Sequence, residues 1–210
     1  MTPLPQQYPV NLIVEGRPCL VVGGGPVAAQ KAAALVACGA DVHVVAEQIG
    51  PEVRALPLTW EERSYSLGEV SGYRFVVAAT GSPVVNARVY EDGEASGVWV
   101  NSADDPDHCS ATLPAILRRG SLMVTVSTGG GSPAVASWLK ERLDAQLGPE
   151  YEMLVDLVAA EREAVRAEGR STEGLNWKKA LDSDMLELIK NGQVADARER
   201  LQACLSSSSD

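Results

Sequence analysis

The chain has 210 residues, enough to bury one large core and carry a smaller appendage, and its hydrophobic content of 45% includes no apolar run of bilayer length. A net charge of −10, from 18 Lys and Arg against 28 Asp and Glu, leaves no cationic surplus for a nucleic-acid partner. Cys19, Cys38, Cys109 and Cys204 are scattered without C-x-x-C or Cys/His ligand spacing. They imply reduced thiols rather than disulfides or a zinc site, and no metal ligands are assigned. The uncharged stretch from Met1 to Tyr8 does not read as a secretory signal, so a cytoplasmic protein without a membrane partner is expected.

The apolar run Cys19-Leu20-Val21-Val22 predicts a first strand, with Leu20 to Val22 at its centre. Gly23-Gly24-Gly25-Pro26-Val27-Ala28 follows and opens a helical stretch from Pro26 to Cys38 that Gly39 ends. Strand, glycines and helix in this order suit a dinucleotide pyrophosphate. Gly23 permits the turn, Gly25 lets the backbone approach the phosphates, and the helix N-terminus offers free N–H groups. A turn without a ligand is the plainer alternative. Ala28, Ala32, Leu35 and Val36 share the helix face expected to be buried.

Further strands are predicted at Val42 to Ala46, more weakly around Leu58 to Arg63, at Phe75 to Ala79 and at Val98 to Val100, with a helix from Val84 to Ala95. Short apolar strands separated by helices imply a parallel sheet covered on both faces. Glu47, with Gln48, ends the second strand 22 residues after Gly25, where an acid can bond the adenosine ribose and repel an extra phosphate. NAD is the cofactor expected.

After Asp104 the pattern changes. Ala111 to Leu117 and Leu122 to Ser127 read as a hairpin-like pair joined by Arg118-Arg119-Gly120-Ser121, apolar enough to be covered on both faces. A second glycine loop, Thr128 to Pro133, leads into a helix with Val135, Leu139, Leu143 and Leu147 on one face, stopped at Gly148-Pro149. Charged helices follow, with Tyr151, Leu154, Val155 and Val158 in one stripe and Val194, Ala197, Leu201 and Cys204 in another. Ser206 to Ser209 read as a disordered tail. Residues 114 to 142 carry Arg118, Arg119, Lys140 and Arg142 against Glu141 alone. This cationic strip either receives a small polyanion or is a solvated patch. Backbone N–H groups of Ser127, Thr128 and Gly129 either hold a substrate carboxylate or merely turn the chain.

Four motifs carry a resemblance. They are Val21 to Lys31 with Gly39-Ala40-Asp41-Val42; Ala78-Ala79-Thr80 with Val85-Asn86; Val100-Asn101-Ser102-Ala103-Asp104; and Leu113-Pro114-Ala115-Ile116 with Val126 to Pro133. Together they resemble the precorrin-2 dehydrogenase family, the N-terminal module of siroheme synthase and its free-standing relatives, some of which are also sirohydrochlorin ferrochelatases. The likeness is close over residues 8 to 148. Departures are Ala46-Glu47 in place of an apolar pair, Gly81 after the threonine, and no counterpart of the methyltransferase module, whose reaction is expected of another chain.

The resemblance implies an α/β fold: a Rossmann-like parallel sheet over residues 1–113, a dimerisation region over 114–148 and a small helical C-terminal domain over 149–210. It implies NAD-dependent oxidation of precorrin-2 to sirohydrochlorin by a homodimer, with Asp104 matching the family's catalytic aspartate. Cofactor contacts are expected from Gly23, Gly24, Gly25, Pro26, Val27, Glu47, Gln48, Thr80 and Asn86. Substrate contacts are expected from Asn101, Ser127, Thr128, Gly129, Arg118 and Arg119. Asp104-Asp105-Pro106-Asp107 is equally a good turn. His108 reads as a surface residue, an acid/base group or an iron contact near Asp104, His43 as structural, and Cys109 as a small buried or half-buried thiol or a metal contact. Two other functions stay open: a bifunctional enzyme that also inserts ferrous iron, and a dinucleotide-sensing module that binds without turnover.

Overall fold

The computed structural model describes residues 6–206. The chain divides into two compact units, Met1–Leu113 with Gly129–Gly131, and Pro114–Thr128 with Ser132–Asp210. Residues 114–128 and 132–148 fall in the same unit as the C-terminal helices, and Gly129–Gly131 in the first. Among the described residues no helix is long and apolar enough to cross a membrane.

The first unit runs β1 (Pro18–Val22), α1 (Pro26–Ala37), β2 (Asp41–Ala46), α2 (Pro51–Arg54), β3 (Thr59–Glu62), β4 (Phe75–Ala78), α3 (Pro83–Ser96) and β5 (Trp99–Ser102), then a 3-10 turn at Pro106–His108. The strands form one sheet in the order β3-β2-β1-β4-β5, with every pairing parallel. Order reverses between β1 and β4, so the loops that leave these two strands diverge and open a crevice at the carboxyl edge.

Residues 19–22 are continuously apolar because both faces of β1 are covered. Cys19 and Val21 pack with Val44, Phe75 and Val77 and with Ala28 and Ala32 of α1. Leu20 and Val22 pack with Val76, Ala78 and Val100 and with Val89 of α3. Each fully buried valine or leucine here is worth about 1.5–3 kcal/mol of burial. The expected buried face of α1 differs in detail: Ala28, Ala29 and Ala32 are buried, whereas Leu35 and Val36 are only half-covered. β3 is an edge strand with all four residues exposed, and Glu61 and Glu62 there discourage further pairing.

The second unit begins with an antiparallel hairpin, β6 (Ala115–Arg119) and β7 (Leu122–Val126). Arg118 and Arg119 are strand residues, not turn residues; Gly120, at φ +55°, makes the turn. Then come α4 (Pro133–Gln146), α5 (Glu150–Ala167), α6 (Trp177–Leu181), α7 (Met185–Lys190) and α8 (Val194–Ser206). Leu157, Ala180, Met185, Ile189, Ala197, Leu201 and Cys204 form its core. In the first expected stripe Leu154 and Val158 are half-covered, while Leu157, one position round the helix, is the buried residue. Ser206 closes α8; the rest of the expected tail lies outside the described residues.

The hairpin is not covered on both faces within this chain. Leu117 is buried, but Ile116 is 44% exposed. On α4 Val135 is 49%, Trp138 55% and Leu139 37% exposed, and Ala136 supplies the buried contact. The 3.6-residue period marks that apolar face correctly, but period alone does not say what covers it.

Candidate dinucleotide site

The glycine loop is folded against both neighbours of β1. Gly23 N–H donates to the Val45 carbonyl at 2.9 Å, and the Gly24 carbonyl accepts from Gly50 N–H at 2.9 Å. Gly23 has φ +131°, and a Cβ there would collide with the Ala79 carbonyl; one on Gly24 would collide with the Gln48 carbonyl. A Cβ on Gly25, by contrast, would meet nothing within 4 Å. Gly25 is the N-cap of α1, without a side-chain cap, and Pro26 takes the first helical position, where a missing N–H costs nothing. The next N–H groups of α1 lack intrahelical acceptors, so an open space faces a helix N-terminus. That is the environment a pyrophosphate needs.

A cleft of about 630 Å³ opens there. Of the residues expected to contact the cofactor, Gly23, Gly24, Gly25, Glu47, Gln48 and Thr80 line it. Pro26, Val27 and Asn86 do not. Pro26 starts α1, and Val27 is 43% exposed beside the opening. Asn86 is buried, with Oδ1 accepting from Thr80 N–H at 3.2 Å and from Thr80 Oγ1 at 2.7 Å. It braces the loop after β4 while Thr80 faces the cleft.

Arg63, Ser64, Tyr65 and Arg88 also line the cleft, and sequence reasoning missed all four. Arg63 N–H donates to the Ala46 carbonyl at 2.8 Å, extending the β3 register so that residues 63–65 stand beside the end of β2. Ser64 Oγ donates to Glu47 Oε1 at 2.8 Å. Tyr65 is anchored by its hydroxyl, which donates to Asp92 Oδ2 at 2.6 Å; burial first, then this bond, pushes its pKa up. Parallel pairing of β3 with β2 was the one signal that could have found residues 63–65; Arg88 stands on α3.

At the carboxyl end of β5, Asp104 is the only described non-glycine residue with positive φ, +60°. Left-handed backbone is costly for an L residue, though less so for Asp. The flanking chain imposes it. Ser102 N–H donates to Cys109 Sγ at 3.2 Å, and that sulfur lies 3.3 Å from the carbonyls of both Ser102 and Asp105. Burial raises the Cys109 pKa and keeps it a neutral thiol able to donate to one of them. Asn101 is buried and donates through Nδ2 to the Ala111 carbonyl at 2.9 Å, which holds the loop shut where a substrate contact is expected. His108 Nδ1 lies 2.8 Å from Asp105 Oδ2, and its ring meets Tyr90 edge-on. Both histidine and Asp105 therefore belong to the loop's framework. Asp104 itself is exposed, and among the described residues no hydrogen bond or ion pair is recorded for its carboxylate. Ser102 Oγ is buried, and among the described residues it has no hydrogen-bond partner.

In the second unit, Arg119 is committed to the end of α4. Its Nε donates to the Leu147 carbonyl at 2.7 Å and its Nη2 to Asp144 Oδ1 at 2.8 Å. Its guanidinium thus caps the carbonyl end of α4, the place where a cation also meets the negative end of the helix dipole. Arg118 is exposed on β6. Thr128 Oγ1 accepts from Ser132 N–H at 2.9 Å and donates to its carbonyl, closing the glycine loop that carries Gly129; Ser127 precedes it, after β7. Among the described residues no group of three or more His, Cys, Asp or Glu is arranged to hold a metal.

A family model described as "Putative NAD(P)-binding" matches residues 10–115. The siroheme synthase of Nitrosococcus oceani is 35% identical over 206 residues, covering 95% of this chain and 44% of that protein. The siroheme synthase of Chromobacterium violaceum is 34% identical, with 93% and 43% covered. The chain thus spans less than half the length of the curated relatives it matches. A solved structure of SirC, precorrin-2 dehydrogenase, superposes with a TM-score of 0.71 at 26% identity, covering 94% of this chain and 98% of that one. The chain belongs to this NAD(P)-binding family, and along nearly its whole length it is similar to siroheme synthases and to a precorrin-2 dehydrogenase.

Proposed function

We propose that the protein is an NAD-dependent precorrin-2 dehydrogenase that forms sirohydrochlorin in siroheme biosynthesis. The observation that carries this reading is the open cradle at Gly25, in a chain that matches SirC over nearly all of both lengths. Gly23 to Gly25 and the first turn of α1 hold the pyrophosphate, and Glu47 bonds the adenosine ribose. The dinucleotide, when bound, accepts a hydride. Asp104 takes or guides the proton that leaves the substrate with that hydride, from a carboxylate no other described group engages.

Asp104→Asn tests the assignment. Turnover should fall by roughly a hundredfold or more, in line with general acid–base contributions, while NAD binding is retained. Asp105→Asn, in the loop's framework, should leave turnover near normal. Near-normal dehydrogenation by folded Asp104→Asn would remove the aspartate from the mechanism, and NAD binding without any turnover by the wild type would favour a dinucleotide sensor. The same unengaged carboxylate suits a second reaction, ferrous insertion into sirohydrochlorin, in which it would accept pyrrole protons; anaerobic assays with and without ferrous iron separate the two. The open apolar faces of the hairpin and α4 support a homodimer built largely on residues 111 to 147.

A further inference from the structure

Two arginines line the cleft, and they differ in what holds them. No ion pair is recorded for Arg88 among the described residues. Arg63 is clamped. Its Nε donates to Glu61 Oε2 at 2.5 Å, its Nη1 to Glu69 Oε2 at 2.9 Å and its Nη2 to Glu69 Oε1. Nη1 also reaches the Ser64 carbonyl at 3.2 Å. Glu69 is itself positioned, because its Oε2 accepts from Ser66 N–H at 3.0 Å and its side chain is only 12% exposed.

The place of this clamp gives it meaning. Arg63 adjoins Ser64, whose hydroxyl holds Glu47, the acid read as the ribose contact. A guanidinium beside an adenosine ribose is the group that takes a 2′-phosphate, through a planar two-pronged contact. Here the prongs face Glu69 instead. Two carboxylates around one guanidinium leave a local negative charge, and Glu47 adds to it.

Resting on the dinucleotide reading of the cleft, we infer that Glu69 is a specificity-determining residue that excludes the 2′-phosphorylated dinucleotide by withholding Arg63. Discrimination then has two parts, an acid at the ribose and a cation locked out of reach. Removing the second lets NADP in without touching any cleft-lining side chain. The pairing also shows in the titration of the partners: Glu69 and then Glu61 raise Arg63, while on Glu69 the burial that pushes its pKa up is outweighed by Arg63 and the Ser66 N–H, which lower it.

Calorimetric titration of NAD and NADP into the wild type, Glu69→Gln and Glu69→Gln/Arg63→Gln tests the inference. Glu69→Gln should bind NADP about tenfold more tightly, a gain of about 1.4 kcal/mol, while NAD affinity stays within about twofold. The gain should shrink with added salt and vanish in the double variant. A merely structural Glu69 would weaken both cofactors together. Unchanged NADP affinity in Glu69→Gln, or a gain that survives loss of Arg63, overturns the proposal. Should Glu69→Gln not fold, Arg63→Gln alone decides: the withheld arginine predicts no change in the weak NADP affinity of the wild type, and a loss of it refutes the clamp. A wild type that binds neither cofactor sinks the dinucleotide reading itself, an outcome distinct from NAD binding with no Glu69 effect.

Discussion

The two units each close an apolar core but differ in where they leave large apolar side chains exposed: in the first at places such as the coil at Ile13, the loop at Leu67 and the first turn of α3 at Val84, in the second on a hairpin strand and the helix packed against it. In the first, all of Leu20, Val21, Val44, Val76 and Val100 are fully buried, and the sheet closes on both faces. In the second, α5 to α8 enclose Met185 and Leu201 completely, yet the hairpin and α4 display Ile116, Val135 and Trp138. Arg142 lies over the Trp138 ring at 5.0 Å without hiding it. Exposed apolar groups gathered on neighbouring elements mean more than isolated ones, since contiguous patches mark interaction surfaces. The proposed dinucleotide site thus lies in the first unit, and the proposed association surface is the exposed apolar face of the hairpin and α4 in the second.

The largest effect that would sharpen this contrast is a cavity in the helical core. Leu201→Ala should cost about 2–5 kcal/mol of stability in urea unfolding, while NAD binding by the folded fraction stays unchanged. A loss of cofactor affinity in that fraction would break the separation of roles. Next, Trp138→Ser should leave folding stability nearly unaltered but shift sedimentation toward monomer by at least about tenfold in dimer dissociation constant, as expected of a buried aromatic anchor. A wild type that sediments as a monomer at micromolar concentration removes the association surface altogether. Glu47→Ser should narrow the preference for NAD over NADP by about tenfold, roughly 1.4 kcal/mol, in competition titration. The smallest change is expected from Arg119→Ala, which uncaps α4 and should lower the melting temperature by the equivalent of about 1 kcal/mol.

What was legible in the sequence follows the same division. The glycine loop could be read because its function resides in the backbone: a strand, three glycines and Pro26 fix the geometry whatever the distant residues do. The strand core was equally plain, since Cys19 to Val22 can be continuously apolar only if both faces are covered. Side-chain roles were harder. Asn86 and Asn101 have the chemistry of ligand contacts, but burial turned their amides into braces for Thr80 and the Asp104 loop. Arg119 looked like part of an anion strip because charge along the chain does not reveal that the Leu147 carbonyl, 28 residues later, ends a helix beside it. Arg63 to Tyr65 went unseen because only the register of an exposed, weakly patterned edge strand carries them to the cleft. Asp104 was singled out by resemblance; its left-handed backbone is an independent reason to look there.

The central place of β1 also dictates when a newly made chain can acquire its binding loop. β1 must pair with β2 on one side and with β4 on the other, and β4 begins only at Phe75. Gly24 lies against the Gln48 carbonyl but Gly23 against the Ala79 carbonyl, so the loop lacks its support on the β4 side until the chain has been synthesised beyond Ala79. Closing contacts over such separations is slow compared with forming local helices. A nascent fragment that ends before β4 has α1 over one face of the unfinished sheet but leaves the α3 face and the β4 edge of β1 uncovered, which makes the stretch between Gly25 and Phe75 an interval in which the growing chain is open to aggregation.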